Sequence, residues 1–380
     1  MVPRHHHPRW FRVTEAVSAA TEVDRSPKSD AASYGSYRKR GEEATVAVGY
    51  QRPTLEDVAA LARVSRGTVS RVINGSPKVS PHARDAVEAA ISRLGYVPNR
   101  AARALASQRT DTVALVVSEP HALLFTDPFF GGIVRGVSQQ LADTGQQLLL
   151  IMVQSADDHA RVEKYLLGGH VDGVLLLSLH GADPLLAALD RADVPTVVGA
   201  RPLDPGVHLP YVDIDNRGGS RSAVKYLRDL GRREIATIAG PQDMAPGVDR
   251  LAGYRDVVGE TADPTLVAYG DFSEASGERA TAELLEAHPS LDAVYVAADL
   301  MAAGSLRALR RAGRRIPDDV AVVGFDDLDL AQHTDPPLTT VRQPTVGMGQ
   351  EMAKLLLTLA DGPAQSPVLL PTELIIRDSA

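Results

Sequence analysis

The chain of 380 residues has room for two to three domains, and its 44 % hydrophobic and 23 % charged content is that of an ordinary globular protein. It contains no cysteine, which excludes disulfides, thiolate metal ligands and a cysteine nucleophile. Its net charge of −8 is unevenly spread: eight basic and six acidic residues in 1–49, ten and four in 50–110, and 22 and 38 in 111–380. A basic segment ahead of an acidic body draws a polyanion to one end of the molecule and repels it from the other. No uninterrupted apolar run approaches membrane-spanning length, and the N-terminus lacks the apolar core of a secretory signal, so a cytoplasmic protein without a membrane partner is expected.

Residues 1–50 hold HHHPRW, a Ser/Ala-rich middle and RKRGEE without sustained periodicity, and read as a disordered extension or as sequence upstream of the true start. Three adjacent histidines, His5 to His7, without a supporting fold do not make a metal site.

The pattern sharpens over residues 51–97. Thr54 can cap a helix, with Asp57 three positions on as a weak capping-box acid, and Leu55, Val58, Ala59 and Ala62 fall at helical spacing. Ser65 can cap a second helix that runs to Ile73 and stops at Asn74-Gly75. Ser80-Pro81 opens a third, with Pro at the first helical position, and Gly95 closes it. Two short helices across a tight turn, with a third to complete a core, predict a helix-turn-helix module. The second helix shows Arg66, Thr68, Ser70 and Arg71 between apolar Val69, Val72 and Ile73. Arginine can grip guanine with two hydrogen bonds, and hydroxyls reach phosphates or base edges. The plain alternative, a solvated basic face on a small bundle, accounts for the charge but not for the turn and the caps.

These stretches, GTVSRVING and VSPHARDAVEAAISRLGYVPNRAARALAS, resemble the head-piece of the LacI/GalR family of bacterial transcription regulators. The family's T-x-x-D-V-A-x-x-A-x-V-S pattern stands at residues 54–65 and its Y-x-P-N-x-x-A-x-x-L pattern at 96–105, and the likeness continues through nearly all of the chain after Pro53. The resemblance implies DNA contacts from Thr54, Ser65, Gly67, Asn74 and Lys78 beside the four side chains above. It also implies a hinge helix in residues 98–110, contacting DNA through Asn99, Ala102 and Leu105. That segment is too short to be a stable helix alone in water. Leu105 would open a base step of the minor groove as an apolar wedge, with ordinary packing against the body as the alternative.

From Thr112 the texture becomes α/β. TVALVV, LLLIMV, VDGVLLL and VPTVVG read as buried strands separated by helix-length segments, the first helix spanning residues 129–144, and YVDID, EIATIAG, DAVYVAA and DVAVVGF repeat the pattern. Continuous apolar strands between helices predict parallel sheets covered on both faces, and two such series predict two doubly wound subdomains with a cleft between them. The resemblance adds a periplasmic-binding-protein-like body over residues 111–380, responsible for effector binding and dimerisation. It has the chain crossing between subdomains three times and the helix near residues 349–359 returning to the first.

Ligands of open parallel sheets bind beyond the carboxyl ends of the strands. There the resemblance implies effector contacts from Asp127, Phe129, Phe130, Arg201, Arg250, Phe272, Asp299, Asp326 and Gln343. Aromatic faces cover the apolar side of a sugar or stack on a base, and Arg250 and Asp326 offer forks to hydroxyls or ring edges. Phe129 and Phe130 could equally be core, and Asp299 could cap its helix. Sugar-responsive members often carry Asn where this chain has Ala298, which weakens the inference of a sugar and keeps a purine or nucleobase as the alternative, the latter with a corepressor-dependent regulator; a sugar stays the first effector class because most family members sense one. No P-loop, Gly-x-Ser-x-Gly or His-containing ligand spacing is present, and no enzyme, cofactor or metal is expected. The expectation is an effector-controlled homodimeric repressor of a near-palindromic operator. A solute-binding protein is the rival outside that class.

Overall fold

The computed structural model describes residues 53–97, 109–119, 121–181, 183–259, 263–359, 362 and 367–380. The extension expected over residues 1–50, and Asn99, Ala102 and Leu105 of the expected hinge, lie outside the described residues.

Three helices open the described chain: α1 (Leu55–Ala62), α2 (Arg66–Ile73) and α3 (Pro81–Leu94). Each begins on a side-chain cap. Thr54 accepts from the Asp57 N–H while Asp57 accepts from the Thr54 N–H, the reciprocal box that ties down two otherwise orphaned donors. Ser65 caps α2 through the Thr68 N–H, and Ser80 caps α3 ahead of Pro81. Gly95 ends α3 in the left-handed conformation that the turn requires, at φ 62°. Val58, Val69, Val72, Val87, Ala90 and Tyr96 are buried between the helices, a core small enough that caps worth about 1 kcal/mol each matter to it.

The body is two lobes. The first lobe's sheet has the order β11-β5-β4-β3-β1-β2, and every pairing in it is parallel. Its strands are β1 (Thr112–Val117), β2 (Gln147–Met152), β3 (Gly173–Leu177), β4 (Thr196–Gly199), β5 (Tyr211–Ile214) and β11 (Val368–Leu370). Helices α4 (His121–Thr126), α5 (Pro128–Leu141), α6 (Ala156–Leu167) and α7 (Pro184–Arg191) connect the first four strands. The expected helix of residues 129–144 thus starts one residue earlier, on the Asp127 cap, and ends three earlier.

The second lobe's sheet has the order β12-β10-β9-β8-β6-β7. Its strands are β6 (Ile235–Ala239), β7 (Val267–Tyr269), β8 (Ala293–Val296), β9 (Ala321–Asp326), β10 (Thr339–Arg342) and β12 (Glu373–Ile375). Helices α8 (Asn216–Asp229), α9 (Ala245–Val258), α10 (Glu274–Ala287) and α11 (Asp299–Arg311) cover it. The edge pair β10–β12 is antiparallel, so this sheet is mixed where an all-parallel one was expected. Seven of the eight strands read from apolar runs are buried as those runs require, whereas β2, at the edge of its sheet, is half-buried to exposed. The four missing from the sequence reading, β7, β10, β11 and β12, are three or four residues long.

The chain passes between lobes three times: between β5 and α8, between β10 and α12 (Thr345–Leu359), and between β11 and β12. The second passage brings α12 back to the first lobe, where it packs along α5. That contact is closer than side chains would permit. A Cβ on Gly136 would meet the Val346 carbonyl oxygen at 2.1 Å, and one on Gly349 the Ile133 carbonyl oxygen at 2.3 Å. Glycine at both places lets backbone approach backbone and fixes the returning helix.

Candidate functional site

Helix α2 buries Val69 and Val72 and turns its polar residues outward. Thr54, Ser65, Arg66, Gly67, Arg71, Asn74 and Lys78 are exposed, and Thr68 and Ser70 are half-buried. The hydroxyls of Ser65 and Thr68 lie 2.9 Å apart, and the Asn74 amide donates to Ser70 Oγ at 3.5 Å. Arg66 pairs with Glu56 at 3.1 Å, but both side chains are well exposed, and such a pair holds an arginine by at most about 1 kcal/mol. The result is an exposed face, cationic and rich in hydroxyls, carried on a three-helix base.

The second site is the cleft between the lobes, which contains about 950 Å3 of empty space with its mouth included. Its position follows from topology. In the first sheet β1 pairs with β2 on one side and β3 on the other, and in the second β6 pairs with β7 and β8. Loops leaving the two central pairs diverge there and open a crevice at the strands' carboxyl ends.

The first lobe supplies Asp127, Phe129 and Phe130 at the start of α5, Glu119 after β1, Ser178 after β3 and Arg201 after β4. Asp127 caps α5 by accepting the Phe129 N–H at 2.9 Å, and burial holds its carboxyl above the usual range. The two phenyl rings pack edge to face, with centroids 5.3 Å apart. Phe130 is both core and lining, so the two readings of that residue are not exclusive.

The second lobe contributes a buried polar network centred on Arg250 of α9, which is 5 % exposed. Its Nε donates to Asn216 Oδ1 at 2.9 Å, and its Nη1 donates to the Ala297 carbonyl at 2.7 Å and to Asp326 Oδ1 at 3.1 Å. The guanidinium lies over the Phe325 ring, 3.7 Å from its centroid, and 6.0 Å from that of Phe272. Gln343 donates to the same Asp326 oxygen at 2.6 Å. Burial raises the Asp326 carboxyl and Arg250 opposes that rise, while Asp127 across the cleft adds to it. Two acids therefore face one paired cation.

Four lining residues other than glycine have left-handed backbones: Ser178 at φ 59°, Ala200 at 82°, Phe272 at 66° and Asp326 at 118°. Each costs on the order of 1–3 kcal/mol and persists only where the surroundings enforce it, as at sites that hold side chains in fixed poses.

Eight of the nine residues singled out for the cleft line it. The exception is Asp299, which is fully buried behind the wall: its carboxylate accepts from Thr340 Oγ1 at 2.6 Å and from the Leu328 N–H at 2.8 Å. It does not cap α11 with its side chain either, since that helix has Ala298 at the cap and no side-chain cap bond. Ala298 itself lines the cleft. Arg201 is at the wall, but its guanidinium is engaged by Asp249 of α9 at 2.8 Å, and its N–H donates to Asp213 Oδ2 at 3.0 Å.

Sequence reading missed Glu119, Ser178, Asp213 and Asn216, all of which line the cleft. Glu119 and Ser178 sit within two residues of the ends of β1 and β3, so the rule about carboxyl ends of strands could have found them. Asp213 was hidden inside a strand and Asn216 at a helix start. Among the described residues no group of three histidines and carboxylates could hold a metal ion, and no helix is long and apolar enough to cross a membrane.

Residues 54–99 match the family described as bacterial regulatory proteins, lacI family, and residues 224–380 match the periplasmic binding protein-like domain. The chain is 56 % identical over 335 residues to the HTH-type transcriptional regulator CelR of Thermobifida fusca, covering 87 % of this chain and 98 % of that protein. A solved structure of a transcriptional regulator CelR–cellobiose complex is 54 % identical, with a TM-score of 0.69, covering 87 % of this chain and all of that one. The crystal structure of the Lac repressor dimer bound to operator and the anti-inducer ONPF is 31 % identical, with a TM-score of 0.78, over 87 % of this chain and 99 % of the other.

Proposed function

The chain belongs to the LacI family of bacterial regulatory proteins, and we propose that it is a homodimeric transcriptional repressor released from, or locked onto, its operator by a neutral sugar. In this reading residues 51–97 read DNA, residues 98–110 form the hinge and residues 111–380 bind the effector and dimerise. Two copies of α2 would enter the major groove of half-sites about one helical turn apart. Arg66 and Arg71 would serve as phosphate or base contacts, and Thr54, Ser65, Thr68, Ser70, Asn74 and Lys78 would set the register. The protein acts in the bacterial cytoplasm and catalyses no reaction.

The observation that carries the sugar is the charge state of the cleft. Glu119, Asp127, Asp213 and Asp326 line it, while its two arginines, Arg201 and Arg250, are already taken by Asp249 and Asp326. Carboxylates accept hydrogen bonds from hydroxyls and repel phosphates and sugar acids. Phe129, Phe130 and Phe272 offer apolar faces for pyranose rings. Cellobiose, an uncharged disaccharide bound by a relative of this degree of identity, suits both features.

Coupling of about 1–3 kcal/mol between cleft and reader would change operator affinity roughly 5- to 150-fold. The experiment is selection of duplexes from a random library, followed by gel shifts with and without cellobiose. A near-palindromic site with steep salt dependence, and a change of affinity with cellobiose, are expected. Absence of any salt-sensitive preference for a dyad-symmetric duplex refutes the regulator, and an unaltered affinity at saturating cellobiose refutes this sugar.

A further inference from the structure

At one end of the cleft the lobes are tied by a single side chain. His180, in the loop after β3 of the first lobe, places Nε2 3.2 Å from Glu119 Oε1 and Nδ1 2.9 Å from Asp243 Oδ2. Glu119 follows β1 of the same lobe, but Asp243 follows β6 of the other. The backbone repeats the crossing: the Gly181 N–H donates to the Asp243 carbonyl at 2.7 Å. Ser178 Oγ donates to the same Glu119 oxygen at 2.7 Å, so that carboxylate is held in place from two sides. Ser178 and Gly181 have left-handed backbones at φ 59° and 54°, and the loop is thereby shaped to put the imidazole between the two acids.

An ionised carboxylate can only accept, so both ring nitrogens must donate if both contacts are hydrogen bonds. Only the imidazolium does that. A neutral ring would turn one lone pair toward a carboxylate. We propose that His180 is a charged clasp that holds the two lobes together over the effector and positions Glu119 against it. This rests on the cleft being the effector site, as argued above, but the clasp itself is a property of the protein without ligand.

The groups facing His180 are Glu119 and Asp243, and beside them on its own loop Asp183, which is bonded to His159 of α6 at 3.3 Å. The Glu119 hydrogen bond chiefly, and Asp243 after it, raise the imidazolium to about 9 against the opposing effect of burial. A base whose pKa is raised by its partners contributes its full attraction below its ordinary value of 6.5 and loses it as the pH rises through about 9. Opening the cleft breaks only the Asp243 part of the clasp, because Glu119 travels with His180. The closure-linked part is therefore the smaller share of the shift. That share is expected to change the closing equilibrium roughly three- to tenfold.

The chain has no cysteine, so one fluorophore can be placed on each lobe of the intact protein, at A160C on α6 and A282C on α10, both exposed. Energy transfer between them is read from pH 7 to 10 without ligand, and cellobiose binding is titrated over the same range. The expected result is a separation of the lobes with a midpoint near pH 9, accompanied by a roughly three- to tenfold loss of cellobiose affinity. His180→Gln should flatten both profiles, and Asp243→Asn should shrink the step and move it to lower pH. The aspartate is on the surface, so the second variant carries the test if the first fails to fold. No step in the parent protein, or a step that survives in His180→Gln or is unchanged in Asp243→Asn, overturns the clasp. A lobe step without cellobiose binding upholds the clasp and refutes the choice of sugar instead.

Discussion

Replacing Arg250 by Met keeps an elongated side chain over Phe325 but removes the three hydrogen bonds that the guanidinium gives to the second-lobe network, leaving Gln343 as the side-chain donor to Asp326. Asp326 Oδ1 would lose a partner at 3.1 Å, Asn216 Oδ1 one at 2.9 Å and the Ala297 carbonyl one at 2.7 Å, all on residues buried in the cleft wall. Breaking a buried ion pair from one side costs about 3–5 kcal/mol, mostly because the surviving charge is stranded. For a body of this size, each kcal/mol lowers the thermal midpoint by roughly 2–4 °C, so a fall of at least about 6 °C is expected. Asp326 supplies an internal check. Without Arg250 the burial that already raises its carboxyl acts unopposed, so the residue is stabilised by taking a proton. The variant's deficit should be largest at pH 8 and smaller at pH 5, because an acid raised in the folded state regains stability as the pH falls through its folded value. In Arg250→Met/Asp326→Asn no charge is stranded, and much of the stability should return while cellobiose binding does not. Calorimetric melts of the single and double variants at both pH values close the cycle. An unchanged midpoint in Arg250→Met, or a double variant as unstable as the sum of the singles, would refute the picture of a charge pair that is costly to break.

Three other outcomes are expected. Arg71→Ala should weaken operator binding by about 1–3 kcal/mol if it contacts a base, or lower the salt slope by about one if it contacts a phosphate; gel shifts at several salt concentrations that show neither remove it from the interface. Thr54→Ala dissolves the reciprocal cap of α1 and should destabilise the three-helix module by about 1 kcal/mol, seen as faster amide exchange in α1 of the full chain while the body amides keep their rates. Gly349→Ala puts a methyl group 2.3 Å from the Ile133 carbonyl and should cost about 1–3 kcal/mol by pushing α12 off α5; an unaltered melting temperature would show that the helices are not so closely docked.

The helical module was readable almost residue by residue because its signals are local. Caps at Thr54, Ser65 and Ser80, Pro81 at a first position and Gly95 past an end each act within one turn of where they stand. Strands such as β3 and β9 were equally plain, since a strand buried on both faces must be apolar nearly throughout. What escaped were elements whose existence depends on a distant partner. Strand β12 is three residues long and owes its place to antiparallel pairing with β10 after the third passage of the chain. The cleft shows the same division. Asp299 and Asp326 both follow apolar strands and look alike in the sequence. Strand β9 ends by placing Asp326 at the wall, whereas Asp299 is turned inward to the Leu328 N–H and to Thr340 of β10. No local pattern distinguishes the two, because the donors that capture Asp299 come from about 30 and 40 residues away. Arg201 illustrates the converse, a residue correctly placed at the wall whose charge is spent on Asp249 of the opposite lobe.

The same long-range bonds give the proposed effector a way to act on the connections between the lobes. Arg250 holds Asn216, the first residue of α8 after the chain's first passage, and Asn216 in turn donates to Asp213 Oδ1 at the end of β5 at 3.1 Å. Asp326 holds Gln343, which stands at the second passage between β10 and α12. The third passage is sewn to the first, with the Asp215 N–H donating to the Leu370 carbonyl at 2.9 Å and Thr372 Oγ1 donating to the Asp215 carbonyl at 3.3 Å. The polar groups proposed to meet an effector are thus the groups that fix two of the three connections between the lobes, and the remaining connection is bonded to one of those two. A ligand that draws Asp326 or Arg250 toward itself by a few tenths of an ångström must reset these bonds, and packed elements answer such a change by switching arrangement rather than by stretching. If the proposed sugar is the effector, Asn216→Ala should therefore weaken the link between sugar binding and operator affinity more than it weakens sugar binding itself. Equal loss of both, measured by calorimetry and by gel shift on the same protein, would mean that the passages carry no signal.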